Sequence, residues 1–203
     1  MSYVIVVLVS YLLGAVPWGL VVGRLRGVDL LGHGSGRIGT ANTLRTLGRR
    51  AAAVVLAADV AKGVAAVLLA RYIIGTPWGE VTAALAAVVG HNWSLYIRFR
   101  GGRGVATSLG TMLAISPGVA LLCAALGVGL IAWSRYVSLG SIVGAIAAPA
   151  LLAANWLWGG HPLPYLLYGI LAGALVVFQH HDNIQRLLSG TERRIGEPSA
   201  VQQ

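Results

Sequence analysis

Long apolar runs alternate with short polar segments rich in glycine, and the runs have the length of membrane-crossing helices. They fall near residues 2–23, 51–74, 81–97, 104–116, 118–134, 136–158 and 162–180. An α-helix needs about 20 apolar residues to cross the hydrocarbon core of a bilayer, so the pattern predicts an all-α membrane protein with about seven transmembrane helices. The runs at 81–97 and 104–116 are interrupted by Gly or polar residues, and are expected to be tilted, short or partly re-entrant. The first run has no basic leading segment and no small-residue cleavage pattern, which predicts a retained span. The expected organisation is a single polytopic domain over residues 1–203, with 181–203 as a cytoplasmic tail.

Composition supports the membrane reading and removes several alternatives. Hydrophobic residues make up 57% of the chain and charged residues 10%, with a mean hydropathy of +0.77, far from the soluble average. The lone cysteine, Cys123, lies in an apolar run, so an intrachain disulfide is excluded and a packing role is expected. The net charge of +9 could serve nucleic acid, acidic lipid or topology, and its placement decides. In a seven-span arrangement all but Lys62 and Arg71 of the 15 Lys and Arg residues fall on one side. The positive-inside rule then puts the N-terminus outside and the C-terminus in the cytoplasm. Basic residues spread over membrane-side loops, with no nucleic-acid-binding signature, speak against nucleic acid as a partner.

Two loops on that cytoplasmic side carry the chemistry, GHGSGRIGT at 32–40 and FRGGRGVAT at 99–107. Closely spaced glycines expose backbone N–H groups, and arginine adds a planar guanidinium, so such loops suit phosphate. In the first, Gly32, Gly34, Gly36 and Gly39 can turn the chain through φ > 0 or admit an anion, and Ser35 offers a hydroxyl. A helix is expected to begin within 40–42, its N-terminus toward the same anion, with Arg45 able to reach back as a bidentate partner. Candidate substrate-binding residues here are Gly34, Gly36, Arg37 and Asn42, and in the second loop Gly101, Gly102, Arg103 and Gly104. The second loop lacks the Lys-Ser/Thr ending of an ATP-binding P-loop. Arg98 and Arg100 read as interfacial anchors, while the flanking glycines expose Arg103.

Asp59 and Lys62 share a helical face inside the second run, where they can neutralise each other as a structural ion pair. His33 and His91 adjoin the glycine loops and are expected to bond neighbouring backbone. His161 sits in an external turn with no expected role. At the end of the last run His180 and Asn183 lie three apart, on one face if the helix continues. His180, His181 and Asp182 are adjacent and diverge on a helix, and no second cluster completes a site, so no metal and no cofactor is expected.

The segments GAVPWG at 14–19, GVDLLGHGSGRIGTANTLRTLG at 27–48, DVAKG at 59–63, GHNWSLYIRFRGGRGVATSLG at 90–110 and HHDNIQRLLSGTERRIG at 180–196 carry a resemblance. In order and spacing they resemble the bacterial acyl-phosphate:glycerol-3-phosphate acyltransferases, over nearly the whole chain. The resemblance implies a multi-pass protein of the bacterial cell membrane, its motifs gathered at the cytoplasmic face. It implies transfer of a fatty acyl group from acyl phosphate to the sn-1 hydroxyl of glycerol 3-phosphate, giving lysophosphatidic acid. By motif, Ser35 and Arg45 match residues implicated in catalysis, and the glycines around Arg103 match the loop for the phosphate of glycerol 3-phosphate. His180 and Asn183 match the third motif, with Asn183 at the active site and Glu192 more structural.

The chemistry agrees. Acyl phosphate is an activated anhydride, so positioning two anions and stabilising developing charge can suffice, without a covalent acyl-enzyme. The proton acceptor would be a substrate phosphate oxygen or His180. The H-x-x-x-x-D motif of thioester-dependent glycerolipid acyltransferases is absent, since Ile38, Tyr96, Leu166, Gln185 and Arg186 stand five residues after the histidines. The chain departs from the family pattern at Arg37, where Asn is usual, at Thr40-Ala41, Ser94, Arg100 and Arg103. The alternatives are a paralogous acyltransferase with another phosphorylated acceptor and, on weaker grounds, a transporter of a phosphorylated metabolite. A transporter should show internal repeats and a site at mid-membrane.

Overall fold

The structure, a computed structural model, describes residues 1–196; the end of the expected tail, 197–203, lies outside the described residues. Every regular element among the described residues is helical. The first run folds as α1 (Ser2–Ala15) and α2 (Trp18–Leu25), broken at Val16 and Pro17. Proline lacks an N–H and pushes its predecessor to extended backbone, and Val16 has ψ 117°. α3 (Thr40–Ile73) begins where a helix start was expected, but Gly48, at φ 82° and ψ −178°, breaks it into two pieces. The shorter piece carries Asn42 and Arg45.

α4 (Pro77–Asn92) is capped by the Thr76 hydroxyl, which accepts from the Gly79 N–H, with Pro77 in the first turn. α5 (Val105–Ile115), α6 (Pro117–Ser134), α7 (Val137–Leu157), α8 (Leu163–Gln179) and α9 (His181–Leu188) follow, α9 bent by 60° from α8. By length and apolarity four elements can cross a membrane: α1 with α2, α3, α6 and α7; a bent α8–α9 span makes five. With 16 residues α4 reaches about 24 Å and with 11 residues α5 about 16 Å, short of a hydrocarbon core of about 30 Å. The run expected at 81–97 therefore ends at Asn92 and starts earlier, at Pro77.

α4 sits inside the bundle, against α1, α3, α5 and α8. In that position the charge near its N-terminal end needs partners. Glu80 is buried and accepts from Arg71 Nε (2.8 Å), Arg71 NH2 (3.0 Å) and the Tyr165 hydroxyl (2.9 Å). Helices approach closely where one side chain is missing. A Cβ at Gly90 would strike the Tyr11 carbonyl of α1, and Cβ atoms at Gly63 and Gly110 would strike backbone across the α3–α5 contact. Such contacts let dispersion and backbone packing hold helices where lipid removes the hydrophobic drive. A core of Val67, Met112, Leu152, Tyr168 and their neighbours lies between α3 and α8. Val4, Leu8, Leu121, Val128, Ile146 and Leu171 face outward, so the bundle wears the apolar coat that a bilayer requires.

Candidate active site

The first glycine loop is folded around one amide. Buried Leu30 and Ile38 pin the loop to the bundle, and the Ile38 carbonyl lies where a Cβ of Gly19 would stand. Asn42, 2% exposed, reaches back from α3. Its Oδ1 accepts from the Ser35 N–H (2.9 Å), and its Nδ2 donates to the carbonyls of Leu30 (3.1 Å), His33 (3.0 Å) and Arg37 (2.9 Å). Gly34 and Gly36 turn through φ +62° and +64°, and a side chain on Gly34 would collide with Asn42 Oδ1. Gly39 has φ −79° and Gly32 is not among the positive-φ glycines, so the expected freedom is used at two of the four positions. The Asn42 amide is committed to the loop, so Asn42 shapes the place where Ser35 sits. His33 bonds the Asp29 carbonyl through Nδ1 (2.7 Å), as expected of a histidine serving the local backbone.

The second loop is built against the end of α4. Cβ atoms at Gly101 and Gly102 would strike the carbonyls of His91 and Asn92 and the His91 ring, and Gly104 turns through φ +79° to start α5. Gly101 and Gly102 are therefore packed against the end of α4, and neither is among the residues lining the two cavities described below. They send Arg103 into the site. Its Nε donates to the Gln179 carbonyl (3.2 Å) and its NH2 to Asp182 Oδ2 (2.8 Å). Burial, partly offset by Asp182 and reinforced by Arg37, holds the guanidinium below its ordinary value, though an arginine stays charged.

The third wall comes from α9 and the segment after it. Glu192 Oε1 accepts from Ser138 Oγ (2.7 Å) and Asn183 Nδ2 (2.6 Å), and Oε2 from Arg186 Nε (2.7 Å). Burial pushes this carboxyl up, but those three hydrogen bonds win, and it lies below the usual glutamate value. Beyond it, Ile195 exchanges backbone and guanidinium hydrogen bonds with Arg135, and Arg194 lies 5.1 Å over the Tyr136 ring. Glu192 thus clasps the last segment to α7 and fixes Asn183, whose Oδ1 is buried and unpartnered. His180, at the α8–α9 bend, bonds the Val176 carbonyl through Nδ1 (2.7 Å). A carbonyl only accepts, so Nδ1 carries a proton, and in the neutral imidazole Nε2 keeps its lone pair.

Two cavities meet among these walls. One, of about 380 Å³, runs from Ser35, Arg37 and Arg45 past Arg103, His180 and Asn183 into an apolar arm lined by Leu109, Met112, Cys123, Ala148 and Val176. The other, of about 270 Å³, is polar and lined by residues 31–36 with Arg45, Arg103, Asp182, Arg186 and Arg193. Ser35, Arg45, Arg103, Asn183 and Glu192 line both. The sequence-derived residues Ser35, Arg45, His180, Asn183, Arg37, Asn42, Arg103 and Gly104 are together at the first cavity, and Gly34 and Gly36 at the second. Cys123 packs against the core and also faces the apolar arm.

Sequence reasoning missed Asp182, Arg186 and Arg193 in the polar pocket, and Asp59 and His91 in the wall of the first cavity. The Asp182–Arg186 pair at i, i+4 was a usable signal. Asp59 and His91 read, in sequence, as half of an ion pair and as a partner of local backbone, and only tertiary packing brings them into this wall. The arrangement offers a greasy arm for a hydrocarbon chain and a basic pocket for an anion, sharing one polar junction.

Known proteins share this arrangement of sequence and fold. A glycerol-3-phosphate acyltransferase of Rubrobacter xylanophilus is 48% identical over 196 residues, covering 97% of this chain and 96% of that protein. Glycerol-3-phosphate acyltransferase 2 of Moorella thermoacetica is 46% identical, covering 97% of this chain and all of that protein. Crystal structures of PlsY (YgiH), an integral membrane glycerol 3-phosphate acyltransferase, superpose with TM-scores of 0.90 for the glycerol 3-phosphate form and 0.88 for the lysophosphatidic acid form. They share 40% and 39% identity with this chain and cover 97% of it, and 96% of each PlsY chain is matched. The family model described as glycerol-3-phosphate acyltransferase matches residues 4–190, and with it this chain belongs to the glycerol-3-phosphate acyltransferase family.

Proposed function

We propose that this protein transfers a fatty acyl group from acyl phosphate to the sn-1 hydroxyl of glycerol 3-phosphate, giving lysophosphatidic acid and phosphate, the first step of phospholipid synthesis. The observation that carries this reading is the junction at Ser35, Arg45, Arg103 and Asn183 between an apolar arm and a basic pocket. The relatives' names and the ligand forms of PlsY support glycerol 3-phosphate as the acceptor and lysophosphatidic acid as the product. The acyl chain occupies the apolar arm, leaving its carbonyl at the junction. Arg103, with Arg186 and Arg193 beside it, holds the phosphate of glycerol 3-phosphate.

The acceptor hydroxyl attacks the acyl carbonyl, the tetrahedral centre collapses, and phosphate departs with the hydroxyl's proton. Ser35 and Arg45 act on the donor phosphate and on the charge that develops there. His180 Nε2 and Asn183 Oδ1, both acceptors, orient the attacking hydroxyl. No cofactor is needed, because the anhydride is already activated. Both loops face the cytoplasm in a bacterial cell membrane, with the N-terminus outside and α4 and α5 completing seven spans as short helices inside the bundle. The distribution of arginine supports this orientation.

One observation favours a second reading. Arg37 lines the first cavity near Arg103, adding a cation where the family pattern has a neutral residue. A paralogous acyltransferase with a more highly charged phosphorylated acceptor would use it. The test is an assay of the purified protein in lipid, with acyl phosphate, acyl-CoA and acyl-carrier protein offered in parallel to glycerol 3-phosphate. Lysophosphatidic acid is expected from acyl phosphate. Product from the thioesters alone, or from none of the three donors, would reject the donor and the reaction respectively.

A further inference from the structure

The ion pair Asp59–Lys62 read, in sequence, as a structural lock for one helix. In the structure it has a third member. Lys62 Nζ lies 2.7 Å from Asp59 Oδ1, 3.0 Å from the Val16 carbonyl and 2.9 Å from His91 Nδ1. Asp59, Lys62 and His91 are 1%, 6% and 2% exposed. The contact with Asp59 is an ion pair, and since an ammonium has N–H donors and no acceptor, the hydrogen bond to His91 is donated by Lys62 and Nδ1 must accept. The direct Asp59–His91 approach, at 3.6 Å, is too long to compete. His91 is therefore a neutral imidazole with its proton on Nε2.

That Nε2 edge faces the second glycine loop. A Cβ on Gly102 would collide with it, and the Gly102 N–H donates to the His91 carbonyl (3.1 Å). The ring and the carbonyl of one residue thus set the path of Gly102, and the next residue is Arg103. A buried ion pair is a poor source of net stability, since desolvation offsets its attraction. Its value here is orientation.

We propose that the Asp59–Lys62–His91 cluster is a positioning device: Lys62 fixes the tautomer and the edge of His91, and His91 places the loop that aims Arg103 into the site. Asp59 and His91 form part of the wall of the same cavity. The inference rests on the reading of Arg103 as the holder of glycerol 3-phosphate.

Steady-state KM values for glycerol 3-phosphate and for acyl phosphate, measured separately, test it. Arg103→Gln comes first and should raise the glycerol 3-phosphate KM about tenfold; no rise would reject the role of Arg103 itself. Asp59→Asn with Lys62→Met removes both charges and the donor to Nδ1, and should give a rise of about tenfold in the same KM, with that for acyl phosphate within about twofold. Asp59→Asn with Lys62→Gln also removes both charges but keeps an N–H for Nδ1, and should recover most of the loss. Two double variants with the KM of the parent, beside an impaired Arg103→Gln, would overturn the proposal. 15N NMR of the histidine-labelled parent protein gives a readout free of folding effects in the variants, with the His91 signal assigned by its loss in His91→Gln. A protonated Nε2 and bare Nδ1 are expected; a protonated Nδ1 would overturn the proposal.

Discussion

Ser35 is held between two left-handed glycines by the side chain of Asn42, so its position depends on residues that do no chemistry. Ser35→Ala and Arg45→Ala should each lower kcat about 10²-fold or more while the thermal transition in detergent stays near the parent's. Asn42→Ala removes the acceptor for Ser35 and the donor to three carbonyls. Its expected cost is about 1–3 kcal/mol, with activity falling as the loop loses its shape, measured by denaturant titration beside the assay. The gathering of Ser35, Arg45, His180 and Asn183 at one cavity was legible in the sequence, because glycine spacing, charge and motif order mark them. The close packing of Gly101 and Gly102 against α4 was not legible. Both look like phosphate-loop glycines, and only the tertiary approach of α4 makes them packing positions. The partnership of Lys62 with His91, 29 residues apart, has no local signature either.

Among the elements, the breaks carry as much information as the helices. The Pro17 break was readable as a residue that cannot continue a helix, yet the apolar run at 2–23 passed through it, while Gly48 falls in the polar stretch before the run at 51–74. Apolar patterning reports burial in lipid or protein alike, which is why α4 and α5 gave runs like those of the longer helices although each is shorter than the hydrocarbon core is thick. The α8–α9 bend places His180 and Asn183 at the junction, and the clasp at Glu192 holds it. The Glu192 carboxyl lies below its ordinary value of 4.5, so the stabilisation it brings is complete above that value and is lost as pH falls through the lower, folded-state value. Hydrogen exchange across residues 183–196 should therefore accelerate on acidification in the parent protein. Glu192→Gln should show fast exchange already at neutral pH, with little further change in acid. A pH-independent parent would contradict the clasp.

At the scale of the whole molecule, an apolar coat, a buried α4 and basic loops on one side fit a bundle that gathers its chemistry at one membrane face. Cys123 is the lone cysteine, so Cys123→Ser gives a background for single-cysteine mapping. Arg49→Cys should react with an impermeant maleimide in inside-out vesicles and resist it in right-side-out vesicles, with Tyr72→Cys showing the reverse. Fold class, the glycine loops and the reaction were within reach of the sequence; the two-armed shape of the site was not, because its walls come from helices far apart in the chain.

That shape is most directly tested by separating the arms kinetically. Ala148→Phe, which fills the apolar arm, should raise the KM for a long-chain acyl phosphate about tenfold and leave that for glycerol 3-phosphate within about twofold. Equal changes in both KM values, or none in either, would contradict an acyl arm distinct from the basic pocket.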